Sequence, residues 1–183
     1  MPVRNTATHY GSVAMFLHWL IAALIVVNIA LGLYFPDLPR ADPSKFTLAQ
    51  IHKSIGLTVL VLSVARVLWR LVNPVPPLPA DMNGALKLVA RTSQFLLYVL
   101  IVAIPLSGWL MVSASRLGLP TPYFFLFDWP NLPKIGDHEM WEDVHVYLAW
   151  SAIVLVPIHI AGALYHQFIR RDDVLKQMMP GTR

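Results

Sequence analysis

Four long apolar segments restrict the folds open to this chain more than any other feature of its sequence. They cover residues 13–33, 48–72, 86–112 and 144–168. Each meets the requirement of about 20 residues for an α-helix that crosses a hydrocarbon layer about 30 Å thick. With 56% hydrophobic and 13% charged residues, the composition fits an integral membrane domain. We therefore predict an all-α fold, a membrane-spanning, up-and-down four-helix bundle.

The whole chain, residues 1–183, is predicted to form one transmembrane domain. Including their polar ends, the helices are expected at about residues 13–34, 47–72, 85–113 and 139–171. The connection at residues 35–46 contains three prolines and balanced charge, which is typical of a surface loop. The longer connection at residues 113–137 is rich in proline and aromatic residues, and we expect it to lie as a cap in the membrane interface.

Lysine and arginine are distributed unevenly between the connections. When both termini and the loop at residues 73–85 are placed on one side, that side holds nine basic and three acidic residues, against five and seven on the other. The nine are Arg4, Arg66, Arg70, Lys87, Arg91, Arg170, Arg171, Lys176 and Arg183. Because basic residues are enriched in cytoplasmic loops, both termini are predicted to be cytoplasmic. The pI of about 9.6 thus reflects topology, and no nucleic-acid partner is expected.

Four histidines within the predicted spans form two layers. The topology places His18 and His159 towards the cytoplasmic side, and His52 and His145 towards the outer side. Fourteen residues separate His145 from His159. This spacing returns the second imidazole to within about 40° of the first, about 21 Å further along the helix. A lone histidine on an apolar helix face is more often a satisfied core residue, but ionisable residues at membrane depth are costly and usually functional.

Each layer offers two imidazoles, which limits the cofactors that it can hold. Two nitrogens are too few for a tetrahedral zinc site, and the layers are too far apart to share one metal. The chain has no cysteine, which excludes disulfides, thiolate-held clusters and cofactors attached covalently through a C-x-x-C-H motif. A planar macrocycle with two axial positions requires just such a pair of histidines.

The fourteen-residue interval recurs on the other three helices. It joins His18 to Gly32, His52 to Arg66, and Gln94 to Gly108. Gly32 and Gly108 are predicted at the outer layer, where the missing side chains let a flat ring approach the backbone. Arg66 and Arg70 are predicted at the inner layer, suited to bidentate contact with propionates. Alternatively, the glycines ease helix packing and the arginines extend to the membrane surface.

Several motifs resemble those of the bacterial cytochrome b561 family, over residues from about 13 to 179. They are His18-Trp19-Leu20, Ile51-His52-Lys53-Ser54-Ile55-Gly56, the Pro-Val-Pro-Pro break at residues 74–77, the His145/His159 pair and Met178-Met179-Pro180. The resemblance implies a multi-pass protein of the bacterial inner membrane that holds two b haems. It also implies the iron ligands, which are His18, His52, His145 and His159. Some members pass electrons from periplasmic superoxide to ubiquinone, and others are cytochrome subunits of larger dehydrogenases.

Two further residues are candidates for catalysis. His166 lies seven residues after His159, on nearly the same helix face and about 10 Å closer to the cytoplasm. It is predicted to bond a quinone carbonyl and to supply a proton on reduction, or else to be an interfacial histidine that touches lipid headgroups. Lys53, beside His52, is predicted to form a local positive spot that attracts superoxide, although the outer side as a whole carries more acidic than basic residues.

Three functions follow from these features. The first is a superoxide:ubiquinone oxidoreductase with two haems. The second is an electron-transfer subunit that docks a periplasmic or membrane redox partner, for which the acidic segment at residues 137–143 is suited. The third is a haem-free transporter or scaffold that uses buried histidines as proton sites. The expected partners are membrane lipid, quinone, and either superoxide or a redox partner protein.

Overall fold

Four long helices dominate the structure, a computed structural model that describes residues 2–181. They are α1 (Ser12–Tyr34), α2 (Pro43–Leu71), α3 (Gly84–Ser113) and α4 (His138–Tyr165). A π-helical turn, His166–Arg170, continues α4. All four helices are long and apolar enough to cross a membrane, so the predicted membrane-spanning four-helix architecture is confirmed. Arg183, which entered the charge argument, lies outside the described residues.

Polar side chains fix where three of the helices begin. Asp42 accepts a hydrogen bond from the Ser44 amide, and Pro43 occupies the first helical position, where its missing N–H costs nothing. Because of this cap, α2 begins at Pro43 and includes the end of the segment that we expected to be a loop. Asn83 caps α3, and Asp137 caps α4 by accepting from the Met140 amide.

The helices pack in chain order, α1 against α2, α2 against α3 and α3 against α4. The most compact part of the core lies between α1 and α2. It contains Leu17, Ile21, Ile55 and Val59. Within residues 2–181, α4 makes no extended backbone contact with α1 or α2. Accordingly, α4 is the helix whose apolar span is least buried by protein.

A short antiparallel hairpin lies in the connection between α3 and α4, and the sequence did not predict it. Strands β1 (Thr121–Tyr123) and β2 (Phe127–Trp129) pair in the register Thr121 to Trp129. The amide of Phe124 donates to the hydroxyl of Ser54 on α2, over 2.9 Å. Because Ser54 follows His52 by two positions, the hairpin lies against α2 near the histidine of the outer layer.

The amino-terminal arm and the segment around Met178 lie at the opposite end of the bundle from the hairpin. The indole of Trp19 donates to the Met178 carbonyl over 2.8 Å, and the Asn5 amide donates to the Pro74 carbonyl over 2.9 Å. A Cβ at Gly11 would overlap the backbone of the amino-terminal arm. We call this the inner end, and the end that carries the hairpin the outer end.

Candidate functional site

The structure brings the four histidines together in two pairs, each of which joins α4 to another helix. At the inner end, the ring centres of His18 and His159 are 6.3 Å apart, with planes inclined at 75°. Towards the outer end, the rings of His52 and His145 are 6.2 Å apart and inclined at 86°. These are the combinations that the sequence predicts. All four side chains are half-buried.

The spacing within each pair fits one iron atom between two imidazoles. A metal–imidazole bond is about 2.0 Å long and the ring centre lies about 1 Å behind its nitrogen, so two rings on opposite sides of one metal have centres about 6 Å apart. No group of three or more His, Asp or Glu side chains suited to a metal occurs within residues 2–181. The separation of α4 from α1 and α2 leaves each pair between helices that do not pack closely. The residues therefore fit a planar, bis-imidazole group at each level.

Backbone carbonyls orient the two histidines of the outer pair. Nδ1 of His52 lies 3.1 Å from the carbonyl oxygen of Asn28 on α1. Nδ1 of His145 lies 2.9 Å from the carbonyl oxygen of Ile104 on α3. Because a carbonyl only accepts, each Nδ1 carries the proton and each Nε2 has a free lone pair. A hydrogen bond of this kind fixes the tautomer and ring orientation of a metal ligand.

Gly32 and Gly108 accommodate the imidazole rings of the same two histidines. A Cβ added to Gly32 would lie 3.0 Å from Cε1 of His52, and one added to Gly108 would lie 3.1 Å from Cε1 of His145. Both distances are shorter than ordinary carbon contacts. Each glycine follows its accepting carbonyl by four residues, one helical turn later. The sequence places both glycines at this layer, and the structure identifies a histidine as the nearest neighbour of each.

Two arginines of α2 stack on one tyrosine of α3. The guanidinium carbons of Arg66 and Arg70 lie 5.5 Å and 5.0 Å from the ring centre of Tyr98, within the range of cation–π attraction. Arg66 also donates to the carbonyl of Ala14 over 3.2 Å. Among residues 2–181, neither guanidinium forms an ion pair with a carboxylate. The two cations are therefore available to an anionic group.

Arg66 and Arg70 also influence groups around the inner pair. The charge of Arg66 acts on both His18 and His159. Burial raises the pKa of the Tyr10 hydroxyl above its usual value, while the nearby Arg70 opposes that shift. Neither Tyr98 nor Tyr10 was predicted from the sequence as a site residue. The only available signal for Tyr98 was its position one helical turn after Gln94.

His166 belongs to a hydrogen-bonded network at the inner end. Its Nδ1 lies 2.7 Å from Oδ2 of Asp172, and the same oxygen accepts from Nε of Arg170 over 3.1 Å. Arg170 also donates to Asp81 over 2.7 Å. Burial acts to raise the pKa of Asp172, but hydrogen bonds from His166, the Val174 amide and Arg170 outweigh it, and the pKa is lowered. Asp172 was not predicted from the sequence as a site residue.

The π turn explains how Asp172 reaches His166. Arg171 ends the turn in the left-handed region, with φ 55°, which reverses the chain direction. The amide of Asp172 then donates to the carbonyl of His166 over 3.2 Å. Insertions of this type occur frequently at functional sites.

Lys53 lies on α2 next to His52, at the outer end. Its side chain is partly buried, and its charge acts on His52. Within residues 2–181 it forms no ion pair with a carboxylate. An unpaired, partly buried ammonium beside the outer histidine pair makes the potential there locally positive.

Comparison with known proteins places these features in a family. The model of the prokaryotic cytochrome b561 family matches residues 9–181. The chain belongs to this family. Cytochrome b561 homolog 2 of Escherichia coli K12 is 38% identical over 182 residues, covering 98% of this chain and 95% of the relative. The probable superoxide oxidase CybB of Yersinia pestis is 26% identical over 176 residues, covering 95% and 97%.

A third relative, cytochrome b562 of Cereibacter sphaeroides, is 28% identical over 179 residues, covering 93% of this chain and 94% of the relative. Family membership and four membrane-spanning helices identify a multi-pass bacterial membrane protein of an electron-transfer family. A cytochrome b of this family binds haem b. The family resemblance seen in the sequence motifs is thus confirmed.

Proposed function

We propose that this cytochrome b561 holds two b haems and passes electrons from periplasmic superoxide to ubiquinone in the inner membrane, with both termini cytoplasmic. The observation that carries the proposal is the presence of two histidine pairs at different depths, each with the spacing that one iron atom requires. His52 and His145 would hold the outer haem, and His18 and His159 the inner one. When bound, each haem supplies a carrier that gains and loses one electron at a time.

Arg66 and Arg70 support haem binding at the inner end. Their guanidinium groups are suited to bidentate contact with the haem propionates. Stacking on Tyr98 holds both cations in place before the anion arrives, which reduces the entropy lost on binding. Gly32 and Gly108 let the outer imidazoles approach the neighbouring helices.

At the outer end, Lys53 would attract the substrate anion. A positive potential raises the local concentration of a small anion and its association rate. Two superoxide anions each give up one electron and leave as two molecules of dioxygen. The relative from Yersinia pestis, whose printed name is probable superoxide oxidase, supports this assignment of the donor.

At the inner end, His166 would serve the quinone. Ubiquinone takes up the two electrons and two protons to become ubiquinol. Nδ1 of His166 is bonded to Asp172. When both ring nitrogens are protonated, Nε2 can therefore donate to a quinone carbonyl and deliver its proton there. The hydrogen bond to Asp172 fixes the orientation of the His166 ring, as a carboxylate does when it accepts from a catalytic imidazole.

The experiment combines an optical spectrum, haem quantitation and reduction by superoxide with and without ubiquinone, on the purified full chain. We expect two haems per chain, rapid haem reduction by superoxide alone, and reoxidation when ubiquinone is added. His52→Ala should leave one haem and abolish reduction by superoxide, whereas His9→Ala, at an exposed histidine, should change neither. A colourless protein, or two haems retained by His52→Ala, would contradict the proposal.

Lys53→Gln tests the donor site separately. We expect a slower rate of haem reduction by superoxide, and a weaker dependence of that rate on salt, with both haems retained. Lys134→Gln is the matched control because Lys134 is an exposed lysine in the connection that carries the hairpin. Equal rates in the two variants would remove Lys53 from the proposed mechanism.

Acidic residues at the start of α4 support a second candidate function, that of an electron-transfer subunit for a partner protein. Four carboxylates are exposed near His145, namely Asp137, Glu139, Glu142 and Asp143. Such a cluster suits the docking of a basic redox protein. Haem reduction that requires a partner, and that superoxide alone does not achieve, would favour this function.

A further inference from the structure

The two histidine pairs differ in what surrounds Nδ1 of each ring. In the outer pair, both imidazoles donate to backbone carbonyls, over 3.1 Å for His52 and 2.9 Å for His145. In the inner pair, neither His18 nor His159 has a hydrogen bond from its ring to any described residue. The outer histidines thus have electron-rich rings, since a donated hydrogen bond raises the basicity of an imidazole ligand.

Ser107 strengthens this difference at His145. Its hydroxyl donates to the Ile104 carbonyl over 2.7 Å and lies 3.1 Å from Nδ1 of His145. Because its only hydrogen is directed to the carbonyl, the serine oxygen accepts from the imidazole. His145 therefore shares its proton between two acceptors. Ser107 is 2% exposed, and the corresponding position on α1, one residue before Gly32, is Leu31, which offers no side-chain acceptor.

The charges around the two pairs also differ, and this difference adds to that made by the hydrogen bonds. Arg66 acts on both inner histidines, and Arg70 stacks on the same tyrosine as Arg66. At the outer pair, Lys53 acts on His52 and opposes the effect of the hydrogen bonds there. Arg66 thus acts on both histidines of the inner pair, whereas Lys53 acts on only one histidine of the outer pair. Positive charge favours the reduced form of a haem, and ligand basicity favours the oxidised form.

We infer that the carbonyls of Asn28 and Ile104, with the Ser107 hydroxyl, give the outer haem a lower reduction potential than the inner haem. The inference rests on the proposed dihaem function and adds to it a direction of electron transfer between the two haems. Electron transfer from the outer to the inner end is then favourable, and the reverse transfer is not. Ser107 acts as a positioning residue, since it acts on the iron only through His145.

Ser107→Ala tests the inference by spectroelectrochemistry on the purified dihaem protein. Loss of one acceptor should make reduction of one haem about tenfold more favourable, an upward shift of about 59 mV for one electron. The haem that shifts must be the one with the lower potential. Ser63→Ala is the matched control because Ser63 is also a buried helical serine, but its hydroxyl has no hydrogen-bond partner among residues 2–181.

Arg66→Gln tests the other half of the argument without altering the outer pair. Arg66→Gln should lower the higher of the two reduction potentials and leave the lower one unchanged. Arg66→Lys keeps the positive charge, so its higher potential should lie close to that of the wild type. Both readouts are midpoint potentials, so a change in turnover alone does not enter the comparison.

Three outcomes would overturn the inference. They are a shift of the higher potential in Ser107→Ala, no shift beyond that of Ser63→Ala, or a shift of the lower potential in Arg66→Gln. If the wild-type protein nevertheless carries two haems that superoxide reduces, only the inferred order fails and the proposed function stands. A wild-type protein with a single haem would refute both, and haem quantitation on the same samples separates the two cases.

Discussion

Replacement of Gly108 by alanine measures how closely α3 approaches the outer histidine of α4. An added Cβ would lie 3.1 Å from Cε1 and 3.2 Å from Nδ1 of His145, where ordinary contact begins at 3.4 Å. The imidazole must then move by a few tenths of an ångström. It cannot move without changing the 2.9 Å hydrogen bond to Ile104, because the same nitrogen takes part in both contacts.

The expected magnitude follows from two opposing terms. Overpacking of this kind costs about 1–3 kcal/mol, while alanine in a helix interior regains about 1 kcal/mol relative to glycine. The free energy of unfolding of the haem-free chain should therefore fall by no more than about 2 kcal/mol. Displacement of a metal ligand from its hydrogen-bond partner lowers metal affinity by about 10–100-fold, so the larger effect should be on haem retention.

The assay is haem content per chain after purification, together with the melting temperature of the loaded protein. Gly162→Ala is the control, since Gly162 lies within α4 and an added Cβ there meets nothing within 4 Å. We expect Gly108→Ala to lose much of the outer haem and Gly162→Ala to retain both haems at equal or higher stability. If Gly108→Ala keeps two haems and an unchanged melting temperature, the close approach that we describe is wrong.

Three further predictions concern the two ends of the bundle. His166→Asn should slow reoxidation of the reduced haems by ubiquinone and leave their reduction by superoxide unchanged, and equal reoxidation rates would exclude a role for His166. The pKa of Asp172 lies below the unfolded value of 3.8, so its stabilising effect is present above that pH and is lost as the pH falls through the lower folded value. Asp172→Asn should therefore lower the melting temperature at pH 7, with a difference from wild type that shrinks as the pH falls below 3.8. Ser54→Ala should leave the Phe124 amide without its acceptor, at a cost of about 1–3 kcal/mol, and should speed proteolysis of the hairpin relative to Ser63→Ala.

The membrane spans and the two histidine layers could be predicted from the chain alone. The transfer of a side chain into hydrocarbon depends mainly on that side chain, so a sum over about 20 residues locates each span. Helical geometry then converts sequence separation into depth. The pairing of His18 with His159 and of His52 with His145 followed from depth and topology, without knowledge of any contact.

The start of α2 and the hairpin were harder to predict, for two different reasons. The Asp42 cap was visible in the sequence, but the apolar pattern alone placed the start of α2 several residues late. Phe124 and Phe125 adopt left-handed conformations that are more usual for glycine or asparagine. The hydrogen bond to Ser54 holds this turn, and Ser54 lies 70 residues away in the chain.

Only the tertiary structure decided what surrounds each histidine. The acceptors for His52 and His145 are the carbonyls of Asn28 and Ile104, and every residue has a carbonyl, so the sequence carries no sign of them. The contact of Asp172 with His166 depends on one π turn, and the Tyr98 stack depends on how α3 packs against α2. The depth of a residue in the membrane follows from its position within an apolar helix, which the sequence gives. The orientation, hydrogen bonds and electrostatic surroundings of a ligand depend on pairs of residues that only folding brings together.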